Sequence, residues 1–221
     1  MMREIMRLFS FGKNLLSFQK ERGQMVYLVI GLGNPGKRYE STRHNVGFMV
    51  VEKLADRWKI ELKHNSFNAL WGKGGVDGKS VLLAKPQTFM NLSGTAARRL
   101  QSFFKTDISR LIVIHDDLDL PFGSIRMKAG GGTAGHKGLA SIESDLGSSD
   151  FIRVRLGIGK PVDKSRIEGY VLEPFRKEDQ VVLQQVIERA ADASAEIVLN
   201  GLQKAIGKYQ TKNMNFLKKE D

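Results

Sequence analysis

Apolar positions along this chain alternate between the period of a β-strand and the period of an α-helix. Short β-branched runs, such as the one from Val26 to Ile30, predict buried strands, and Asp77-Gly78 is typical of a hairpin turn. The predicted strands are 26–30, 69–76, 80–85, 111–114, 124–128 and 151–158, and the predicted helices are 46–58, 92–103, 139–146 and 181–202. The pattern predicts an α/β fold, a single domain with a twisted mixed β-sheet covered by helices.

The two ends of the chain differ from this alternating region. Residues 1–24 mix apolar with basic side chains and form a basic N-terminal extension, which fits an amphipathic helix, an organelle-targeting peptide or a segment upstream of the natural start. We favour a natural start at Met25, because Met25 leads directly into the first strand. Residues 25–211 make up the predicted domain, and residues 212–221 are a polar C-terminal tail.

Composition narrows the class of protein. A chain of 221 residues can bury a sizeable core, and 0 Cys excludes disulfides and thiolate chemistry. No apolar run reaches the roughly 20 residues that span a bilayer, so we expect a soluble protein. The formal net charge of +11 attracts polyanions and makes nucleic acid the leading partner, although surface lysines that only solvate the protein would give the same balance.

A glycine motif follows the first predicted strand. Gly31 to Gly36 matches the G-x-G-x-x-G pattern of dinucleotide-binding folds, which is typical of a nucleotide-dependent oxidoreductase. The polar stretch 37–43 does not fit the apolar-faced helix that this pattern needs, and Glu52 and Asp56 fall within a helix instead of ending a strand. We therefore interpret the motif as a rigid turn that carries Asn34.

Polar residues gather at predicted strand ends and helix starts, where the sites of α/β proteins lie. His44 lies at the mouth of a helix and is a candidate general base. Asn91 either caps a helix or faces a ligand. The acidic residues of 115–119 either orient a base or bind Mg²⁺. The glycine-rich loop 130–138 can bring backbone amides to an anion, but it lacks the lysine and hydroxyl of a Walker phosphate loop.

Together these segments resemble the bacterial peptidyl-tRNA hydrolase family over nearly all of residues 25–210. The motifs that occur in the family's order are Gly-Leu-Gly-Asn-Pro-Gly, Thr-Arg-His-Asn, Phe-Met-Asn-Leu-Ser-Gly, His-Asp-Asp-Leu-Asp-Leu-Pro and Gly-His-Lys-Gly. The resemblance implies a hydrolase that cleaves the ester between a peptide and the 3′-terminal ribose of tRNA, and so recycles tRNA from prematurely released peptidyl-tRNA. It also implies a cytoplasmic monomer that needs no cofactor, metal, membrane or protein partner.

The resemblance further implies roles for individual residues. His44 is the implied catalytic base, Asp116 is its orienting carboxylate, and Asn91 is the third member of the catalytic group. The residues implied to bind the peptide end of the substrate are Asn34, Tyr39, Phe89, Met90, His136 and Lys137. Lys128 and Arg155 are implied to bind the 5′ phosphate of the tRNA.

Lys137 departs from the family, which usually carries an asparagine directly after the loop histidine. Lysine offers donors only, so a hydrogen bond accepted by asparagine would be lost. We expect activity to survive with weaker control of the peptide end. A non-catalytic RNA-binding relative is the alternative to an enzyme, and the presence of His44, Asp116 and Asn91 argues against it.

Overall fold

A seven-stranded mixed β-sheet forms the centre of residues 26–210, the part of the chain that the computed structural model describes. The strands are β1 (Val26–Gly31), β2 (His64–Ser66), β3 (Ala69–Val76), β4 (Lys79–Pro86), β5 (Leu111–Asp117), β6 (Ile125–Ala129) and β7 (Ile152–Gly157). The helices of this range are α1 (Val46–Trp58), α2 (Ser93–Phe104), α3 (Lys137–Leu146), α4 (Ile167–Leu172), α5 (Gln180–Asn200) and α6 (Leu202–Tyr209). The predicted extension 1–24 and tail 212–221 lie outside the described residues.

The strand order is β2-β3-β4-β1-β5-β7-β6. Strands β4, β1, β5 and β7 run parallel, whereas β3 is antiparallel to β4 and β6 is antiparallel to β7. The carboxyl ends of the parallel strands therefore meet at one edge of the sheet, which is where α/β proteins place their sites.

Helices cover both faces of the sheet. One face packs on α1, α5 and α6 through residues such as Val29 and Ile112, and the other packs on α2 and α3 through residues such as Leu28 and Val113. The alternation along each strand follows from the period of two, which sends neighbouring side chains to opposite faces. The predicted α/β architecture with a mixed sheet is confirmed.

Close glycine contacts bring the start of α1 to the edge of the sheet. A Cβ atom on Gly31 would lie 2.1 Å from the Gly47 carbonyl oxygen, and one on Gly47 would lie 2.4 Å from the Ile114 carbonyl oxygen. Only glycine permits this approach of helix and strand. Gly31 thus serves packing, and the helix begins at Val46 instead of at the glycine motif, so the dinucleotide-binding interpretation finds no support in the fold.

Most predicted elements are present, with three differences. The predicted hairpin is confirmed, since Asp77 and Gly78 have φ values of 45° and 77° between β3 and β4. The prediction of one closing helix was wrong, because the helix is interrupted at Gly201, which has a φ of 90°, and two helices, α5 and α6, are present. The pattern did not predict β2 or α4. None of the helices in residues 26–210 is both long enough and apolar enough to cross a membrane.

Candidate active site

A cavity of about 350 Å³ opens at the carboxyl edge of the sheet. Its polar lining includes His44, Asp116 and His136, and its apolar lining includes Phe89 and Val171. The loops that follow β1, β4 and β5 supply one part of the wall, and the turn of His44, the glycine-rich loop, the start of α3 and α4 supply the rest. A mixed lining of this kind is suited to a substrate that has both polar and apolar parts.

An imidazole and a carboxylate meet at the floor of this cavity. His44 lies in the 3₁₀ turn Arg43–Asn45 directly before α1, and Asp116 lies near the end of β5. The His44 Nδ1 atom is 2.9 Å from Asp116 Oδ1, and the Asp116 side chain is only 2% exposed. A carboxylate accepts, so Nδ1 carries the proton and donates, which leaves the lone pair on Nε2 for a reactant.

His136 approaches the same carboxylate oxygen from the other side. Its Nε2 atom is 3.0 Å from Asp116 Oδ1. Its Nδ1 atom accepts from the backbone N–H groups of Gly138 and Leu139 at 3.1 and 3.3 Å, so the ring caps the first turn of α3. Because Nδ1 accepts, the proton of a neutral ring lies on Nε2 and is donated to Asp116. The two protein bonds thereby define the tautomer of His136.

The charge of Asp116 follows from these contacts. Burial alone raises the pKa of the Asp116 carboxyl, but the imidazoles of His44 and His136 outweigh burial and hold the pKa well below its usual range. The carboxylate therefore stays ionised at neutral pH and can stabilise a protonated His44.

A third histidine lies beside the pair. The His115 Nδ1 atom donates to the Asp116 backbone carbonyl at 2.6 Å, and its Nε2 atom is buried without a hydrogen-bond partner among the described residues. Burial lowers the pKa of His115 to about 3, with the neighbouring His136 adding to the effect. His115 is therefore a neutral ring whose edge packs against His136, at 5.0 Å between ring centroids.

The turn after β1 is fixed by reciprocal amide bonds. The Asn34 backbone N–H donates to Asn45 Oδ1, and Asn45 Nδ2 donates to the Asn34 carbonyl, both at 2.9 Å. The Met90 N–H donates to Asn34 Oδ1 at 2.8 Å. These bonds hold Asn34 and Met90 together at the cavity and leave the Asn34 Nδ2 group to donate to a bound molecule.

Asn91 lies exposed on the cavity wall, in the 3₁₀ turn Met90–Leu92. No side chain caps this turn or the start of α2 within the described residues, so the capping interpretation of Asn91 is wrong. The Asn91 amide is thus a donor that faces the cavity instead of the helix.

Each acidic side chain of the 115–119 segment has a protein partner of its own. Asp116 receives two imidazole N–H groups, Asp117 Oδ2 receives Arg155 Nε at 2.7 Å, and Asp119 pairs with Lys160. This pattern of donors does not favour the Mg²⁺ interpretation, since a magnesium ion needs oxygen ligands that point at one centre. Among residues 26–210, the His44, Asp116 and His136 ligand atoms lie within 4.8 Å of one another and form the group that could hold a metal ion. The two N–H donors to Asp116 account for their arrangement.

Four cationic side chains share one face of the sheet at the β7–β6 edge. The register pairs Lys128 with Arg153 and Arg126 with Arg155, and residues paired in this way project to the same side. Burial lowers the pKa of Lys128, and the guanidinium groups of Arg155 and Arg153 lower it further. Cations gathered on one face form a surface that favours an anion.

Comparison with known proteins places this geometry in a family. The family model for peptidyl-tRNA hydrolase matches residues 28–216. A curated peptidyl-tRNA hydrolase of Bacillus subtilis (strain 168) is 49% identical over 166 residues, which are 75% of this chain and 88% of that protein. The chain belongs to the peptidyl-tRNA hydrolase family. A second relative with the same name, from Geotalea daltonii, is 44% identical over 86% of this chain and 98% of its own length.

Solved structures of peptidyl-tRNA hydrolases share the fold. The crystal structure of the Acinetobacter baumannii protein superposes with a TM-score of 0.80 at 36% identity, covering 85% of this chain and 98% of that chain. A peptidyl-tRNA hydrolase in complex with N-propanol gives the same TM-score of 0.80. The sheet and its helical layers are therefore those of the family.

The structure brings most of the implied residues of this peptidyl-tRNA hydrolase family member to one cavity. The implied residues that line it are Asn34, His44, Phe89, Met90, Asn91, Asp116, His136 and Lys137. Tyr39 is not among the lining residues, and its hydroxyl accepts from Arg38 at 2.5 Å. Lys128 and Arg155 lie on β6 and β7, away from that lining. His136 lines the cavity as implied, and both of its ring nitrogens are bound to protein.

The sequence did not predict two buried arginines near the site. Arg43 precedes His44 and binds the Tyr170 and Glu173 carbonyls at 3.1 and 3.2 Å, which ties α4 to the turn of the base. Arg153 binds the glycine-rich loop before His136. Arginines on strands and turns are ordinarily exposed, and neither the Thr-Arg-His-Asn motif that contains Arg43 nor the strand pattern around Arg153 indicates burial.

Proposed function

We propose that this chain hydrolyses the ester bond between a peptide and the 3′-terminal ribose of tRNA, with His44 as the general base. The reaction follows from the family, and the observation that supports the role of His44 is its 2.9 Å hydrogen bond to the buried Asp116. The bond fixes the tautomer in which Nε2 can accept a proton.

The proposed reaction begins with a water molecule whose proton passes to His44 Nε2 while its oxygen attacks the ester carbonyl carbon. Asp116 stabilises the imidazolium that forms. The amide groups of Asn91 and Asn34 are candidate donors to the tetrahedral oxyanion. Collapse of this intermediate breaks the bond between the carbonyl carbon and the ribose oxygen. His44 returns its proton to that oxygen, which leaves a free peptide acid and an intact tRNA.

The substrate is proposed to lie across the cavity with its two halves in different surroundings. The peptide end contacts Asn34, Met90, Phe89 and the start of α3, and the RNA extends toward the cations of β6 and β7. Phe89 is 55% exposed, which fits an apolar side chain that contacts a bound ligand. Lys128 and Arg155 are the proposed phosphate-binding pair, and Arg126 shares their face.

The proposed enzyme works as a cytoplasmic monomer and needs no protein partner. One chain supplies every residue named in the reaction, and the substrate arises where translation takes place. These features support the proposal.

A hydrolysis assay tests the function against its RNA-binding alternative. Purified protein is mixed with tRNA that carries a labelled N-blocked peptide, and release of the label into the acid-soluble fraction is measured. We expect release to be catalytic and to be lost in His44→Ala. Tight binding of the labelled tRNA without release by the wild-type protein would favour a non-catalytic RNA-binding protein.

A further inference from the structure

The segment that delivers His136 to Asp116 has little regular structure of its own. Gly130, Gly131 and Gly135 have φ values of 66°, 97° and 77°, and Ala134 has 49°. Left-handed conformations in close succession offer no repeating backbone ladder, so such a loop depends on contacts from outside. His136 follows this loop directly, so the position of its ring depends on how the loop is held.

Arg153 of β7 makes those contacts. Its side chain is 1% exposed; Nη1 donates to the Gly132 carbonyl at 2.8 Å and Nη2 donates to the Gly131 carbonyl. The Ser149 carbonyl lies 3.5 Å from Nη2, at the limit of a hydrogen bond. One planar guanidinium thereby holds two successive carbonyl groups of the glycine loop, which a lysine ammonium cannot match in geometry.

The surroundings of Arg153 make its buried charge tolerable. Glu143 of α3 pairs with Nη2 at 2.6 Å, and the Phe151 ring lies 4.7 Å from the guanidinium carbon. A buried cation without such partners would be strongly destabilising. Glu143 therefore balances the charge of Arg153, whereas the carbonyl bonds to Gly131 and Gly132 are what hold the loop.

A continuous set of contacts leads from Arg153 to the proposed base. Arg153 holds Gly131 and Gly132; the loop leads into His136; and His136 donates to Asp116 at 3.0 Å. Asp116 in turn accepts from His44 at 2.9 Å. Arg153 itself is not among the residues that line the cavity.

We propose that Arg153 is a positioning residue for hydrolysis, which places His136 against Asp116 by holding the Gly131 and Gly132 carbonyl groups. Its role is distinct from that of Lys128 and Arg155 on the same face, which are proposed to bind RNA phosphate. The inference rests on the proposed function, because its measure is the rate of ester hydrolysis.

The test is a double-mutant cycle between Arg153 and His136. Arg153→Lys keeps the charge but loses the fork that spans two carbonyls. His136→Asn keeps a side-chain acceptor for the first turn of α3 but cannot reach Asp116. We expect each single variant to lower kcat by about 10- to 100-fold, as a misplaced catalytic group does, with KM for peptidyl-tRNA changed by less than about threefold. The kcat of the double variant should be at most about twofold lower than the kcat of His136→Asn.

A decrease of kcat in the double variant that equals the product of the two single decreases would overturn the proposal, because it would show that Arg153 acts independently of His136. Glu143→Gln is the matched control: it removes the partner charge, leaves both carbonyl bonds and is expected to lower the melting temperature while kcat stays near the wild-type value. A loss of kcat in Glu143→Gln as large as in Arg153→Lys would also contradict the proposal.

The same cycle with Arg153→Gln covers the case in which the lysine variant does not fold, since glutamine keeps one amide donor and buries no cation. The wild-type protein is measured in every series. Absence of hydrolysis by the wild-type protein would overturn the proposed function, whereas multiplied losses in an active enzyme overturn only the role of Arg153.

Discussion

At the scale of single residues, His136 is the side chain for which the structure adds most to the sequence. The resemblance implies that it lies at the peptide end of the substrate, and the structure adds that its Nε2 donates to Asp116 and its Nδ1 caps α3. A motif gives the order of residues along the chain and does not say which atom of a ring faces which partner. The sequence could therefore indicate that His136 belongs to the site and could not indicate its two hydrogen bonds.

The two nitrogens of His136 can be tested separately. His136→Gln places an amide donor near the position of Nε2 and loses the cap, whereas His136→Asn keeps the cap and loses the donor. We expect His136→Gln to keep more of the wild-type kcat than His136→Asn, and His136→Asn to keep the higher melting temperature. Steady-state hydrolysis and thermal unfolding of both variants check this, and equal kcat values would contradict a role for the Asp116 bond.

His115 gives a prediction for stability. The pKa of His115 is about 3 in the folded protein and about 6.5 in an unfolded chain, so between these values the unfolded state binds more protons. Stability should therefore fall as pH drops from about 6.5 toward 3, by up to about 1.4 kcal/mol per pH unit for this one group.

The comparison is between the wild-type protein and His115→Asn, whose amide can still donate to the Asp116 carbonyl. Urea unfolding at pH 7, 6 and 5 should give a smaller loss of stability per pH unit in the variant. Parallel pH curves for the two proteins would show that His115 titrates in the folded state as it does in the unfolded state.

At the scale of secondary-structure elements, the sequence predicted those with a clear apolar period. Helix α1 was expected at 46–58 and is found at Val46–Trp58, because its apolar face packs on the sheet along its whole length. Strand β2 has three exposed polar residues, and α4 has six residues, so neither contains enough periods to be recognised. The break between α5 and α6 is made by the positive φ of Gly201 and leaves the apolar period almost unchanged.

An ion pair joins two elements across the cavity. Lys137 at the start of α3 donates from Nζ to Glu168 Oε1 of α4 at 2.6 Å, and both residues line the cavity. The side chains are 64% and 80% exposed, so the pair is a weak contact that water and salt can replace. Lys137 thus has a partner within the chain.

We expect Lys137→Asn to leave kcat unchanged and to lower KM slightly for substrates with long peptides, because a peptide that separates α3 from α4 must break the ion pair. Glu168→Gln breaks the same pair without altering Lys137 and should act in the same direction, with changes of about two- to fivefold. KM is measured on one tRNA with peptides of different length. A large loss of activity toward every substrate in Lys137→Asn would show that this lysine is an essential part of the site.

At the scale of the whole molecule, the structure places four of the 35 Lys and Arg side chains on one surface. Lys128, Arg126, Arg153 and Arg155 share one face at the β6 edge of the sheet, of which Arg153 is buried and pairs with Glu143. Composition could predict a polyanionic partner, but a charge total contains no position. The register between β6 and β7 was needed to place these residues side by side.

Removal of a phosphate contact should change how RNA binding responds to salt. Lys128→Ala and Arg155→Ala should each weaken the binding of deacylated tRNA. Each should also reduce the slope of log affinity against log salt concentration by about one. Lys63→Ala, which removes an exposed cation next to β2 at the opposite edge of the sheet, is the matched control and should leave the slope nearly unchanged. Losses of affinity that do not depend on salt would indicate that Lys128 and Arg155 are structural.

The most direct test of the mechanism is the turnover of His44→Ala on labelled peptidyl-tRNA, measured together with the affinity of this variant for deacylated tRNA and its melting temperature. We expect turnover to fall by about 10²- to 10⁴-fold, the usual contribution of a general base, while affinity and melting temperature stay close to those of the wild-type protein. Turnover near the wild-type value in a folded, tRNA-binding His44→Ala protein would contradict the assignment of His44 as the base.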